Sequence, residues 1–138
     1  MVKCRVILVG ASRPFLAGLS LMLESDDLTV MHIATASELL PLLTAIDEPP
    51  DFLVWDSSPD LEQDFPRWVE VHREFPEIGI VALTDKIDDA YADLALTAGV
   101  RGILPKTHLD GFFEPLTAFD GVCLEYHHRT FQAARSRH

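Results

Sequence analysis

The stretch Phe52-Leu53-Val54-Trp55-Asp56-Ser57-Ser58-Pro59 decides how the rest of the chain is read. Four apolar residues run into one carboxylate, and a small polar turn follows at once. An apolar run of this length, bounded by turn formers, is the pattern of a strand buried on both faces, as in parallel sheets. It delivers Asp56 to the carboxyl end of a central strand, the edge where open α/β sheets place their chemistry.

Working outward, Val6-Ile7-Leu8-Val9 reads as a first buried strand, stopped by Gly10-Ala11-Ser12. Ser12 caps a helix with Phe15, Leu16, Leu19, Met22 and Leu23 at helical spacing, and Pro14 falls harmlessly in its first turn. Gly18 costs about 1 kcal/mol against Ala in a helix interior, which points to a close helix–sheet approach there. Leu28 to Ile33 forms a half-buried second strand toward the sheet edge, with His32 in it as an ordinary strand residue. Ser37 is expected to cap the next helix, which carries Leu39, Leu42, Leu43 and Ile46, and Pro49-Pro50 leads into the strand ending at Asp56.

Downstream of Asp56, Asp64 is expected to cap a helix with Trp68, Val71, His72 and Phe75 on one face. Ile78 to Leu83 forms a fourth strand that ends at Thr84. Asp85 and Asp88 open a helix with Tyr91, Leu94, Ala95 and Ala98 at helical spacing, and Gly99 suits its C′ position. A short strand over Gly102-Ile103-Leu104 precedes Pro105-Lys106. A last, kinked helix is expected around Phe112, Phe113, Leu116 and Phe119, and the chain beyond Leu124 turns polar and rich in His and Arg.

Five strands alternating with five helices predict a doubly wound parallel sheet of flavodoxin-like order 2-1-3-4-5. The 138 residues fit one main domain, placed at 1–121, with 122–138 as a linker-like helix or tail. A net charge of −11 argues against direct nucleic-acid binding and against an anionic membrane surface. Cys4 and Cys123 offer neither a zinc spacing nor a disulfide framework, and the apolar N-terminal segment is too short to cross a membrane and lacks the organisation of a signal peptide. A cytoplasmic protein is the expectation.

In a parallel sheet, Gly10, Asp56, Thr84 and Lys106 all emerge on one edge. A carboxylate, a hydroxyl and an ammonium then face a common cleft. A carboxylate can attack phosphorus to give an acyl phosphate, and a lysine with a hydroxyl donor suits the resulting phosphoryl oxygens. The bland reading of the same three residues is a buried ion pair with a capping hydroxyl.

These residues, with Phe15-Leu16-Ala17-Gly18-Leu19 and Ala98-Gly99-Val100-Arg101-Gly102-Ile103-Leu104-Pro105-Lys106, resemble the response-regulator receiver domains of the CheY-like superfamily, in particular the NarL/FixJ type. The resemblance covers roughly residues 4 to 121. It implies a signal-transduction receiver of a two-component phosphorelay, with Asp56 as phosphoacceptor, Thr84 as switch hydroxyl and Lys106 as the phosphate-contacting lysine. The implied partners are a histidine kinase or other signalling protein and a second copy of the chain. Transcription regulation would then run through a missing output domain or partner.

Three departures qualify that likeness. The two acidic residues that bind Mg²⁺ with the phosphoacceptor in such receivers correspond here to Gly10 and Ala11. Mg²⁺ usually needs one or two carboxylates in near-octahedral geometry, so its binding is expected to be weak or absent. Ile103 stands where many relatives carry an aromatic switch residue, and Pro59 arrives one residue early. The expectation is an atypical receiver with weak or absent Mg²⁺-dependent phosphorylation at Asp56, no cofactor and no enzymatic activity, acting through protein–protein contacts. The alternative is a ligand-binding pseudo-receiver that uses space vacated at Gly10 and Ala11 beside Lys106.

Overall fold

Hydrophobic runs and turn chemistry build nine elements over the residues that the computed structural model describes, 4–24, 28–57, 61–85 and 89–106. In chain order they are β1 (Cys4–Val9), α1 (Arg13–Leu23), β2 (Leu28–Ala34), α2 (Ala36–Ala45), β3 (Phe52–Asp56), α3 (Leu61–Glu74), β4 (Gly79–Thr84), α4 (Asp89–Ala98) and β5 (Gly102–Pro105). The strands form one sheet in the order β2-β1-β3-β4-β5, with each neighbouring pair parallel. This is the doubly wound, flavodoxin-like arrangement that the element order predicts. β3 lies at its centre, so Asp56 ends a strand flanked on both sides. The fifth helix expected around Phe112 to Phe119, the boundary at 121 and the tail over 122–138 lie outside the described residues.

Successive strand side chains point to opposite faces, and each face has its own core. Val6, Leu8, Phe52, Val54, Val81 and Leu83 share one face with Leu16, Leu19 and Leu23 of α1. Ile7, Val9, Leu53, Trp55, Ile80 and Ala82 share the other with Leu39 and Leu43 of α2, Trp68 and Val71 of α3, and Ala92, Ala95 and Ala98 of α4. Burial on both faces explains why β1, β3 and β4 read as continuous apolar runs. β2 is an edge strand, and its mixed burial, with His32 exposed, follows from that position.

The helix ends correct several expectations. Ser12 does cap α1, accepting from the Phe15 amide at 3.4 Å. The cap of α2 is Thr35, not Ser37: Thr35 Oγ1 accepts from the Glu38 amide, and the Glu38 carboxylate accepts from the Thr35 amide at 2.9 Å. Reciprocal satisfaction of two orphan donors favours this start over one built on Ser37. The Thr35 amide, and after it the Thr35 hydroxyl, hold the Glu38 carboxyl below the usual carboxylate range. Pro41 sits inside α2 on its exposed side.

Helix α3 starts at Leu61, so Asp64 lies inside its first turn and is buried there. On α4 the buried stripe is Ala92, Ala95 and Ala98, while Leu94 is 44% exposed. Gly99 adopts φ +101°, and a Cβ there would run into the His72 ring of α3. Glycine therefore ends α4 and admits α3 at the same point. Gly18 does the opposite of what its position suggests: it is exposed, and a Cβ added to it would meet nothing within 4 Å. No close helix–sheet approach requires it.

Candidate functional site

The sheet register brings three strand ends together. Asp56 pairs with Leu83, the residue before Thr84, and Thr84 pairs with Pro105, the residue before Lys106. Lys106 Nζ reaches back across this edge to within 2.5 Å of Asp56 Oδ1. Both side chains are largely covered, at 24% and 11% exposure. The ammonium approaches off the direction of a proper hydrogen bond, so Oδ1 is buried with an ion-pair partner and no hydrogen-bond donor. Lys106 Nζ also lies 5.1 Å from the centroid of the Phe15 ring, within cation–π range. Asp85 is farther from it, at 4.0 Å, and 79% exposed.

Gly10 closes the site from the β1 side. Its amide donates to the Ala34 carbonyl at 3.0 Å, fixing the turn after β1 against β2. A Cβ built on Gly10 would lie 2.8 Å from Asp56 Cβ and 3.4 Å from Asp56 Oδ2. That approach is closer than real carbon atoms tolerate. The missing side chain has therefore been replaced by contact with Asp56 itself, not by open space. Ala11, next along, is exposed.

Mg²⁺, which the likeness to receivers implies, does not fit this donor set. Metal coordination here would need carboxylate oxygens converging on Asp56. Gly10 supplies none and has no room for one, Lys106 already faces Asp56 Oδ1, and Asp85 points into solvent. Among the described residues no group of three His, Cys, Asp or Glu side chains is placed to hold a metal ion.

Thr84 is buried at 8% exposure and engages a polar network that sequence reasoning missed. Its side chain lies near enough to the Tyr91 phenol of α4 to lower that phenol's pKa. The Tyr91 hydroxyl donates to Ser57 Oγ at 2.8 Å, and Ser57 donates to Asp64 Oδ2 at 3.1 Å. Trp55 Nε1 donates to the other oxygen of the same carboxylate at 3.3 Å. Ser57, one residue after Asp56, is further pinned by its amide, which donates to the Leu83 carbonyl at 2.8 Å. Burial pushes the Tyr91 phenol up to about 12, with the Asp64 carboxylate adding to the rise and the Ser57 and Thr84 hydroxyls opposing it. At neutral pH the phenol is thus a proton donor.

Aromatic rings flank this network. Trp55 meets Trp68 edge-to-face with centroids 6.2 Å apart, and Trp68 meets Tyr91 in the same way at 6.2 Å. Ile103, opposite Ala82 in the register, is 1% exposed in the same core cluster and brings no polar atom. The polar aromatic near Thr84 comes from α4 instead. Its only sequence signal was a tyrosine among alanines on a helix face, beside a small hydroxyl directly after Asp56.

No protein-family model matches the chain, and no curated protein sequence does. Solved structures do match. The isolated receiver domain of RcsB from Salmonella enterica serovar Typhimurium, in its apo form, superposes with TM-score 0.67 at 21% identity, over 76% of this chain and 77% of that one. The signal receiver domain of an HD domain-containing protein from Pseudomonas fluorescens gives TM-score 0.69 at 19% identity, over 100% and 96%. A receiver domain protein described as CheY-like, from Methanospirillum hungatei, gives 0.65 at 22%, over 84% and 94%. At these identities the likeness is one of fold: the chain has the architecture of response-regulator receiver domains.

Proposed function

We propose that this chain is a receiver-like signalling module in which Asp56 is balanced by Lys106 and is not switched by ordinary Mg²⁺-dependent phosphorylation. The observation that carries the reading is the 2.5 Å approach of Lys106 Nζ to Asp56 Oδ1, with the Gly10 backbone packed on the other side of that carboxylate. Phosphoryl transfer to a carboxylate needs charge neutralised on the incoming oxygens, a task a divalent cation performs in metal-dependent transfer. Here one ammonium is already matched to one carboxylate, and among the described residues no group of acids is placed to hold a metal. The receiver fold supports a role in signal reception, and the module acts through protein–protein contacts, not as an enzyme.

In this reading its partners are a histidine kinase or other signalling protein, or a second copy of the chain, in the cytoplasm. An excess of acidic over basic residues, 22 against 11, supports assigning any transcriptional output to a separate domain or partner. The test is incubation with a small acyl-phosphate donor and Mg²⁺, followed by intact-mass measurement beside an Asp56→Asn control. Little or no phosphoryl addition is expected. Stoichiometric addition that Asp56→Asn abolishes would overturn the proposal.

A further inference from the structure

The two outer strands of the sheet are guarded differently. The order β2-β1-β3-β4-β5 leaves β2 and β5 with one neighbour each among the described residues. An open edge offers unpaired amides and carbonyls to any strand that can lie beside it, and native sheets blunt it with brevity, proline or charge. β5 has four residues and ends at Pro105. β2 runs for seven, Leu28–Ala34, in a sequence rich in strand formers with neither a proline nor a fixed charge of its own. Its charge comes from Glu24, the exposed residue that ends α1: Glu24 Oε1 accepts from the Val30 amide at 2.5 Å. An amide given to Glu24 is one that β1 does not take. We infer that the outer edge of β2 is a surface for strand addition by a second copy of this chain, and that Glu24 holds it closed.

Each half of β2 has its own guard. Its register with β1 steps from Val6 opposite Val30 to Ile7 opposite His32, which leaves Met31 over as a bulge. A bulge bends the strand and spoils a flat edge. The half before it, up to Val30, is regular, and there Glu24 sits. A strand laid along this half needs the Val30 amide for its own carbonyl, so it must displace the Glu24 carboxylate. A second β2 is the occupant that the chain itself suits. Across a two-fold axis two copies pair antiparallel, and each closes the other's edge with the same residues. The strand carries no fixed charge to oppose this, although the whole chain stands at −11. Glu24 opposes it twice, by occupying the amide and by bringing like charges together across the axis.

This goes beyond the signalling role proposed above and is independent of Asp56. The test is sedimentation equilibrium of the unaltered protein, Glu24→Ala and Glu24→Ala/Val30→Pro, with exchange of the Val30 amide followed at low and high concentration of the first two. The cap that Glu24 gives α1 is its backbone N–H, so alanine preserves that helix end. Each copy no longer has to break a charge-assisted hydrogen bond, so Glu24→Ala should tighten self-association by about tenfold or more. The Val30 amide should become protected in it only at high concentration. Proline at position 30 removes the amide an added strand needs and spares the pairing with β1, so it should return association to the unaltered level. An unchanged association constant in folded Glu24→Ala would overturn the inference. So would tighter association that Val30→Pro leaves in place, or that comes without protection of Val30. A monomeric Glu24→Ala protein that captures an unrelated extended peptide at this edge would overturn the second copy as its occupant.

Discussion

Lys106 Nζ lies 2.5 Å from Asp56 Oδ1, so the carboxylate at the end of the central strand is answered by a cation just past the end of β5, two strands away. The pair is neither fully exposed nor fully dry. Its two members are worth little as an isolated surface bridge, but much more as a matched pair in which neither is left alone.

Lys106→Ala should therefore destabilise the fold by about 2 kcal/mol, between the values usual for exposed and buried pairs. The double variant Asp56→Asn/Lys106→Met should recover most of that loss, because no unpaired charge remains. Urea denaturation of the three proteins gives both numbers.

Gly10 makes a second expectation concrete. Its Cβ position lies 2.8 Å from Asp56 Cβ, so Gly10→Ala should cost about 1–3 kcal/mol through overpacking alone. Gly10→Asp should cost more, since it adds a like charge beside Asp56 to the same steric demand. Restoring an acid at this position is thus expected to weaken the protein, as read by the denaturation midpoint, before it creates any metal site.

Gly18 calls for the reverse outcome. It is helical, exposed and surrounded by open space, so Gly18→Ala should stabilise by up to about 1 kcal/mol through helix propensity. A rise in melting temperature with no change in fold checks this.

Tyr91 gives a pH signature. Its phenol titrates near 12 in the folded protein, above its ordinary value of 10, because burial disfavours the phenolate. The unfolded chain gives up this proton first as pH rises, so the folded state loses stability between about pH 10 and 12 and is unaffected by this group below pH 10. The loss across that window amounts to roughly 2–3 kcal/mol at most. Tyr91→Phe should flatten it in alkaline denaturation curves, and should remove the phenolate absorbance step near pH 12. The chain has two tyrosines, so the difference between the two proteins isolates Tyr91.

The sheet and its order were legible because buried strands announce themselves as apolar runs ending in turn formers, as at Val9-Gly10 and Trp55-Asp56. The placement of Asp56, Thr84 and Lys106 on one edge followed from element order alone. What sequence could not show was side-chain direction near helix starts. Asp64 looked like a cap because caps and first-turn acids share a composition, yet it turns inward onto Trp55 and Ser57. Thr35 and Ser37 are equally good caps by chemistry, and only the reach of Glu38 back to the Thr35 amide decides between them. Tyr91 sat on the apolar side of a helix, where its ring is packed against Trp68 and its hydroxyl joins a network built from the end of β3 and the first turn of α3.

The most direct measurement is a Mg²⁺ titration followed by the backbone amide resonances of Gly10, Asp56 and Ser57, in the unaltered protein and in Asp56→Asn. If Lys106 has taken over the balancing of Asp56, the shifts will be small, will not saturate and will be the same in both proteins. Saturable shifts at Gly10 and Asp56 that Asp56→Asn abolishes would contradict it.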